Sequence, residues 1–108
     1  MSGANVQAAV TSAGLPCAHM AWVEGTAPEL PWCVYYLDEQ RGVAADNRLQ
    51  AKRYNWIIEH YWKTYDAEKT SALEAAIEDA FGPYESAETW VEEENCVMTA
   101  YYFREIGD

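Results

Sequence analysis

Apolar side chains recur every three or four residues in two segments of the chain, and this spacing predicts two helices. The first is a short N-terminal helix, whose stripe of small residues ends at Gly14 and Pro16. The main helix is predicted over residues 66–81, because Asp66 can cap its first turn and Gly82-Pro83 can stop it. The stripe of the short helix consists of Val6, Ala9, Val10 and Ala13.

The main helix is predicted to be amphipathic, with one face on the core and one in solvent. Its acidic residues would then be the solvated side of a helix that also supplies the core. The core face is predicted to contain Thr70, Leu73, Ala76, Ile77, Ala80 and Phe81. The solvated face is predicted to contain Glu74, Glu78 and Asp79.

Five other segments have the aromatic and β-branched content of strands, and Gly, Pro or Asn-containing turns separate them. A long polar stretch, residues 38–49, predicts an extended hairpin between the second and third strands. Another turn is predicted at Glu93-Glu94-Asn95. The strands are predicted over residues 18–24, 32–37, 50–63, 88–92 and 96–106.

The third and fifth strands carry apolar residues on both faces. Such strands lie between two layers or meet another subunit. In the third strand, one face holds Tyr54, Trp56, Ile58, His60 and Trp62, and the other holds Asn55, Ile57, Glu59, Tyr61 and Lys63. In the fifth, the faces are Val97, Thr99, Tyr101 and Phe103, and Cys96, Met98, Ala100 and Tyr102.

The order of elements predicts one α+β domain over residues 1–108. A largely antiparallel β-sheet with a long hairpin would pack against one main helix and a short N-terminal helix. The chain has five Trp and eight Tyr among its 108 residues. Both residue types are favoured at protein interfaces, although burial in the core is the commoner explanation for such side chains.

Negative charge is concentrated in the second part of the chain. Residues 66–108 hold 12 of the 18 acidic residues and two of the seven basic ones. The resulting field repels phosphate and anionic lipid, so neither sequence-specific nucleic acid nor membrane is predicted as a partner. These acidic residues could instead form a solvated face, a lining to which DNA does not adhere, or a surface that imitates DNA.

The start of the chain and its cysteines predict a cytoplasmic origin. The first ten residues lack the basic region and long apolar core of a signal peptide, and no segment is apolar enough for a bilayer span. Three widely spaced cysteines favour reduced thiols over a disulfide framework. A zinc site would need Cys17, His19, Cys33 and Cys96 to converge, and no close-spaced Cys pair supports it.

No motif for catalysis is present, so neither an enzyme nor a cofactor is predicted. His60 and His19 are interpreted as structural or interface residues in preference to general bases. Clustered carboxylates at residues 92–94 suit a solvated turn better than a cation site, because adjacent strand residues point to opposite faces. An acidic inhibitor that mimics DNA is the alternative function, motivated by charge and size.

The ordered set of motifs resembles the tail-terminator (tail completion, or minor tail) proteins of long-tailed phages and prophages. The resemblance covers about residues 15–103 and lies in the order of the motifs. They are Leu15-Pro16-Cys17-Ala18, Pro31-Trp32-Cys33-Val34-Tyr35-Tyr36, Ala45-Asp46-Asn47, Ile58-Glu59-His60-Tyr61, the helix at Asp66, Glu94, Tyr101 and Phe103. Two features depart from the family: His60 stands where an apolar residue is usual, and the first helix is short.

This resemblance implies a virion structural protein that caps the tail tube at its head-proximal end. It would form a ring, typically a hexamer, that ends tube growth and contacts the tail-tube protein and a neck or connector protein. Assembly would take place in the host cytoplasm. DNA crosses the tail lumen, so an acidic lining would keep phosphate from adhering.

Two sets of residues are the candidates for these contacts. The subunit or partner interface is predicted to include Trp32, Asp46, Asn47, Trp56, His60, Trp62 and Tyr102. The acidic lumen is predicted to include Glu85, Glu88, Glu92, Glu93 and Glu94, with the outer face of the main helix as the alternative lining.

Overall fold

The fold consists of two helices and a five-stranded sheet. The structure is a computed structural model that describes residues 2–45 and 48–107, with side chains described in residues 3–38 and 53–105. The elements are α1 (Ser2–Ser12), β1 (Cys17–His19), β2 (Trp32–Ala45), β3 (Arg48–Trp62), α2 (Ala67–Phe81), β4 (Tyr84–Val91) and β5 (Cys96–Gly107). The predicted α+β class is confirmed.

The main helix, α2, begins and ends where its caps predict. The Asp66 carboxylate accepts a hydrogen bond from the Lys69 amide at 3.1 Å, which satisfies one free donor of the first turn. Leu73 and Ile77 are fully buried, as predicted. Ala80 is exposed, however, because it lies beside the packed stripe of the helix.

The acidic face of α2 is only partly solvated. Glu78 and Asp79 are exposed, as predicted, but Glu74 is half-buried. The Tyr101 hydroxyl donates a hydrogen bond to the Glu74 carboxylate at 3.0 Å. Glu74 therefore connects the helix to the sheet, and its assignment to the solvated face was wrong.

The α2 helix ends at Gly82, whose amide donates to the Glu78 carbonyl at 2.9 Å. Its φ of 93° and ψ of −151° lie outside the left-handed helical region that a simple Gly cap would occupy. This part of backbone space is essentially restricted to glycine.

We expect Gly82→Val to destabilise the fold by about 1–3 kcal/mol, since a β-branched residue strains this conformation. Urea denaturation followed by circular dichroism would measure the change. Gly82 has open space around the position of a Cβ atom, so the strain lies in the backbone and not in a steric clash. Gly82→Ala should therefore also destabilise. Equal stability of both variants and the parent would show that the backbone can leave this conformation without cost.

The N-terminal region forms a helix and a very short strand. The α1 helix buries Val6 and Val10, and the chain turns at Gly14, which has a φ of 87°. The β1 strand pairs in parallel with β2 through Cys17 opposite Cys33. The predicted strand over residues 18–24 is wrong in extent, because Met20 has a φ of 71° and turns the chain away from β2.

The predicted extended hairpin is present, and its strands are longer than expected. The antiparallel β2 and β3 strands pair from Trp32 opposite Tyr61 to Ala45 opposite Arg48. Most of the polar connection at residues 38–49 is therefore strand, since ladder hydrogen bonds can form with any side chain. Register shifts occur between Leu37 and Glu39 and between Val43 and Ala44.

The sheet has the strand order β1-β2-β3-β5-β4, with β1 and β4 at its edges. The β4 strand begins at Tyr84, four residues before the predicted start, and pairs with β5 up to Val91 opposite Cys96. A turn at residues 92–95 joins them, and Asn95 adopts a φ of 53° in it.

Both helices pack on the same face of the sheet, here called the covered face. The core contains apolar residues from the helices and from alternate positions of β2, β3 and β5. Its largest fully buried members include Tyr101, Ile58, Leu73 and Ile77. In the described part of the chain, neither helix has the length and apolar character of a membrane span.

Candidate functional site: the uncovered face of the sheet

The face opposite the helices, here called the open face, is rich in aromatic residues. Strand register and side-chain alternation place its members, because opposite residues of paired strands share a face. The central part of the open face includes Trp32, Val34, Tyr36, Ile57, Glu59, Tyr61, Met98, Ala100 and Tyr102.

Small and branched residues form the floor of the open face. Val34 is 5% exposed, Ile57 8% and Ala100 3%, although both helices lie on the other side. Larger side chains of the same face cover this floor, and among them Tyr102 remains 42% exposed. Aromatic residues that the helices of their own subunit do not cover are suited to contact with another protein.

A carboxylate, Glu59, lies at the centre of the open face, between Val34 and Ala100 on the neighbouring strands. Its Oε2 accepts a hydrogen bond from the Tyr36 hydroxyl at 2.7 Å, and its Oε1 accepts one from the Tyr61 hydroxyl at 2.7 Å. Both donors are neutral, so these bonds fix the carboxylate without compensating its charge.

The pKa values of the two phenols, Tyr36 and Tyr61, are raised by their surroundings. Burial raises the pKa of Tyr36 well above its ordinary value of 10, and the hydrogen bond to Glu59 raises it further. The pKa of Tyr61 rises for the same two causes in the same order. Both hydroxyls therefore stay protonated and act as donors throughout the physiological pH range.

An aromatic cluster lies at one end of the open face. The Trp32 and Tyr61 rings have centroids 4.8 Å apart, and the Trp22 ring meets Trp32 edge-on at 5.9 Å. The loop at residues 27–31 borders a cavity of about 640 Å³ beside these rings. The polar lining of this cavity includes Lys63 and Glu94.

The predicted interface residues divide between the two faces of the sheet. Trp32 and Tyr102 lie on the open face, where a partner can reach them. Trp56 lies on the covered face and is 5% exposed, so its bulk belongs to the core of the subunit. Its side chain is therefore not accessible to a partner of the folded subunit.

His60 and Trp62 also lie on the covered face. His60 is 2% exposed, and neither of its ring nitrogens has a hydrogen-bond partner among the described residues. The Trp62 Nε1 donates to the Thr99 hydroxyl at 3.0 Å, and its ring contacts Tyr65 edge-on at 5.7 Å. Asp46 and Asn47 lie outside the described residues.

All the acidic lumen candidates are exposed, and they lie at the β4 edge of the sheet. Two come from β4 itself, and three come from the turn between β4 and β5. Their charge would oppose pairing of this edge with another acidic strand. The candidates are Glu85, Glu88, Glu92, Glu93 and Glu94.

The cysteines do not converge on a metal site in the described residues. Cys17 and Cys33 are register partners on the covered side, whereas the alternation of β5 places Cys96 on the open side. All three are free thiols. Burial raises the pKa of Cys17 to about 12 and that of Cys33 further still, so both stay protonated near neutral pH.

The cluster of Glu59, Tyr36 and Tyr61 was not predicted as a site. Alternation in the sequence correctly puts Glu59 and Tyr61 on one face of β3. It cannot bring Tyr36 to them, because that contact depends on the pairing of β2 with β3 across two register shifts. A carboxylate flanked by aromatics in a strand pattern is the signal that could have identified it.

No protein-family model matches the sequence, and no curated protein matches it either. A chain in a solved structure described as "Virion of native gene transfer agent (GTA) particle" is similar, with a TM-score of 0.52 and 17% sequence identity. The alignment covers 94% of this chain and 83% of that one. At this identity, the likeness shows a shared fold.

Proposed function

We propose that this protein is a structural component of a phage-like virion, and that it acts as an oligomeric ring. The ring would cap the tail tube at its head-proximal end, stop tube growth and join the tail to a neck or connector protein. The observation that carries the proposal is the fold likeness to a chain of a gene transfer agent virion over 94% of this chain. The role is one of binding, without catalysis.

The open face supports the assembly part of this proposal. A subunit whose helices cover only one side of its sheet still has an aromatic surface to bury, and a subunit contact can bury it. The residues that would meet a neighbour include Trp32, Tyr61 and Tyr102. A hexamer is the ring size that the resemblance to tail terminators implies.

The exposed carboxylates at the β4 edge support a position next to DNA. If this edge lines the lumen, phosphate groups that pass through the ring meet like charge and do not adhere. The DNA-mimic alternative would instead require these carboxylates to be spaced like phosphates on a convex surface that an enzyme can bind.

We expect the purified protein to bind one end of tubes assembled from the tail-tube protein, and to shorten them. Negative-stain electron microscopy of tube lengths, with and without the protein, measures both effects. A distribution of tube lengths that the protein does not change, together with binding along the tube sides, would contradict the proposed function.

A matched pair of variants tests the role of the open face in capping. Tyr102 and Tyr65 are both exposed, at 42% and 60%, but only Tyr102 lies on the open face. Tyr102→Glu should lose most of the capping activity while the subunit stays folded, and Tyr65→Glu should retain it. Equal activity of the two variants would assign the contact to another surface.

A further inference from the structure

Exposed aromatic side chains lie on the helix-covered side of the sheet, at the end that the helices do not reach. Trp62, Val97 and Trp90 are register partners on β3, β5 and β4, so they form one row across three strands. Tyr65 follows β3 and contacts the Trp62 ring edge-on at 5.7 Å. These four residues are here called the aromatic patch.

The cover of the helices ends one row before the aromatic patch. The preceding row contains His60 and Thr99, which are 2% and 8% exposed. Within the patch, Trp90 is 57% exposed and Tyr65 60%. Rings this exposed add little to the stability of the subunit, whereas tryptophan and tyrosine are among the side chains that contribute most to binding at protein interfaces.

The area of the aromatic patch suits a short segment of a partner. At these exposures the two rings present roughly 200–300 Å² of surface. A standard protein interface buries about 800 Å² on each partner. The patch therefore fits a few side chains of one segment and is too small by itself for the contact face of a whole subunit.

Carboxylates near the aromatic patch determine which partner fits it. Glu88 is exposed and lies two residues before Trp90 on the same side of β4. Asp66 and Glu68, also exposed, follow Tyr65 in the chain. Contact between the patches of two copies would bring like charges together. A basic partner is favoured instead for a chain with a net charge of −11.

Arginine matches this combination of rings and carboxylates. Its guanidinium is planar, so it can stack on an indole ring while its N–H groups donate to a carboxylate. Side chains two residues apart on a strand lie about 7 Å from each other on one face, which places Glu88 and Trp90 within reach of one guanidinium. Lys69, near His60, offsets only one of the three negative charges.

We propose that the aromatic patch binds an arginine-bearing segment of another virion protein, with the guanidinium stacked on Trp90 and paired with Glu88. The patch is separate from the open face, so a ring contact through the open face leaves it accessible. The inference rests on the proposed function only in taking the partner to be a virion protein.

The test is a titration of the isotope-labelled full chain with the peptide acetyl-Gly-Arg-Gly-Arg-Gly-amide, followed by nuclear magnetic resonance. We expect saturable shifts of the indole N–H signals of Trp62 and Trp90, with little change in those of the three other tryptophans. Citrulline in place of arginine keeps the shape and removes the charge, so that peptide should bind about tenfold more weakly. Lysine should bind about threefold more weakly than arginine, because its ammonium does not stack.

Matched variants assign the site. Glu88→Gln should weaken binding of the arginine peptide about fivefold, because the charge-assisted hydrogen bonds are lost. Glu85→Gln makes the same change on the opposite side of β4 and should bind like the parent. Trp90→Leu should weaken binding to a similar extent as Glu88→Gln, whereas Tyr102→Leu on the open face should not. Circular dichroism confirms that each variant is folded, and the glutamate pair keeps the test valid if Trp90→Leu does not fold.

Three results would overturn the inference. One is equal binding of the arginine and citrulline peptides, and another is equal loss of binding in Glu85→Gln and Glu88→Gln, which would indicate general attraction to an acidic surface. The third is a shift of the Trp62 and Trp90 signals with protein concentration alone, which would identify a second copy as the occupant.

Tube capping distinguishes this inference from the proposed function. Trp90→Leu should cap tubes like the parent, because the aromatic patch serves a different contact. Arginine-specific binding at the patch without tube capping would contradict the proposed function and support the chemistry inferred for the patch. Tube capping without such binding would do the reverse.

Discussion

Replacement of Trp56 by alanine should destabilise the folded subunit by about 3–5 kcal/mol, the cost typical of deleting a buried tryptophan side chain. Trp56 is 5% exposed and lies against Tyr35 and Tyr54, with ring centroids at 6.0 and 6.4 Å. Its Nε1 donates to the Glu105 carboxylate at 3.3 Å. The substitution removes these contacts and leaves a cavity that the sheet can fill only in part.

Trp90→Ala provides the matched control, because Trp90 lies on the edge strand β4 and is 57% exposed. Its loss should change the free energy of unfolding by no more than about 0.5 kcal/mol. Urea denaturation at low protein concentration measures both variants without a contribution from assembly. Equal midpoints for Trp56→Ala and Trp90→Ala would show that the Trp56 ring is not part of the core.

Trp56 also shows where prediction from the sequence ends. Alternation along β3 correctly divides the residues of that strand into two faces. Both faces are apolar, however, so the pattern does not reveal which one the helices cover. The face that is covered depends on the positions of α1 and α2 over the sheet. Tertiary packing of this kind produces no periodic pattern in the sequence.

Local features were predicted well where local chemistry determines them. The α2 helix needs only the Asp66 cap, the buried stripe and the Gly82-Pro83 stop, and all three act within a few residues of each other. The turn before Cys96 is local in the same sense. These elements account for the success of the predicted fold class.

The β1 strand was predicted poorly because its pairing is not local. Residues 18–24 have the composition of a strand, yet only Cys17–His19 pair with β2. The partner strand begins 13 residues after β1 ends, and the positive φ of Met20 turns the chain first. Tyr36 and Glu59 are also distant in sequence, 23 positions apart, which is why the cluster on the open face could not be predicted.

Replacement of His60 by leucine should stabilise the subunit at neutral pH by about 1–3 kcal/mol. His60 is buried, and both ring nitrogens lack hydrogen-bond partners in the described residues. Burying a polar group without a partner costs about this much, and leucine of similar volume has no polar atoms.

The stabilisation should grow as the pH falls, because His60 resists protonation in the folded state. Burial, with a smaller contribution from the nearby Lys69 ammonium, lowers the pKa of His60 from 6.5 to about 4. Its neighbours on the adjacent strands, Cys33 and Thr99, bring no charge that would offset this. Between pH 6.5 and 4, the unfolded chain therefore binds a proton that the folded chain does not.

The sign of the effect follows from this difference in bound protons. Stability rises with pH wherever the unfolded state binds more protons, so the His60 contribution is intact above pH 6.5 and is lost as the pH falls towards 4. A lowering of this size corresponds to about 3 kcal/mol. The advantage of His60→Leu over the parent should increase by up to this amount across the same interval.

Urea denaturation at half-unit steps from pH 7.5 to about 4 measures the difference between the two proteins, and other titrating groups cancel in it. His19→Leu is the control, because it removes the same ionisable group from an exposed position on β1, and the comparison assigns the pH-dependent part of the effect to the buried ring. An advantage of His60→Leu that is the same at every pH would mean that His60 does not titrate differently on unfolding. A less stable His60→Leu would mean that the ring makes hydrogen bonds that hold it in the core.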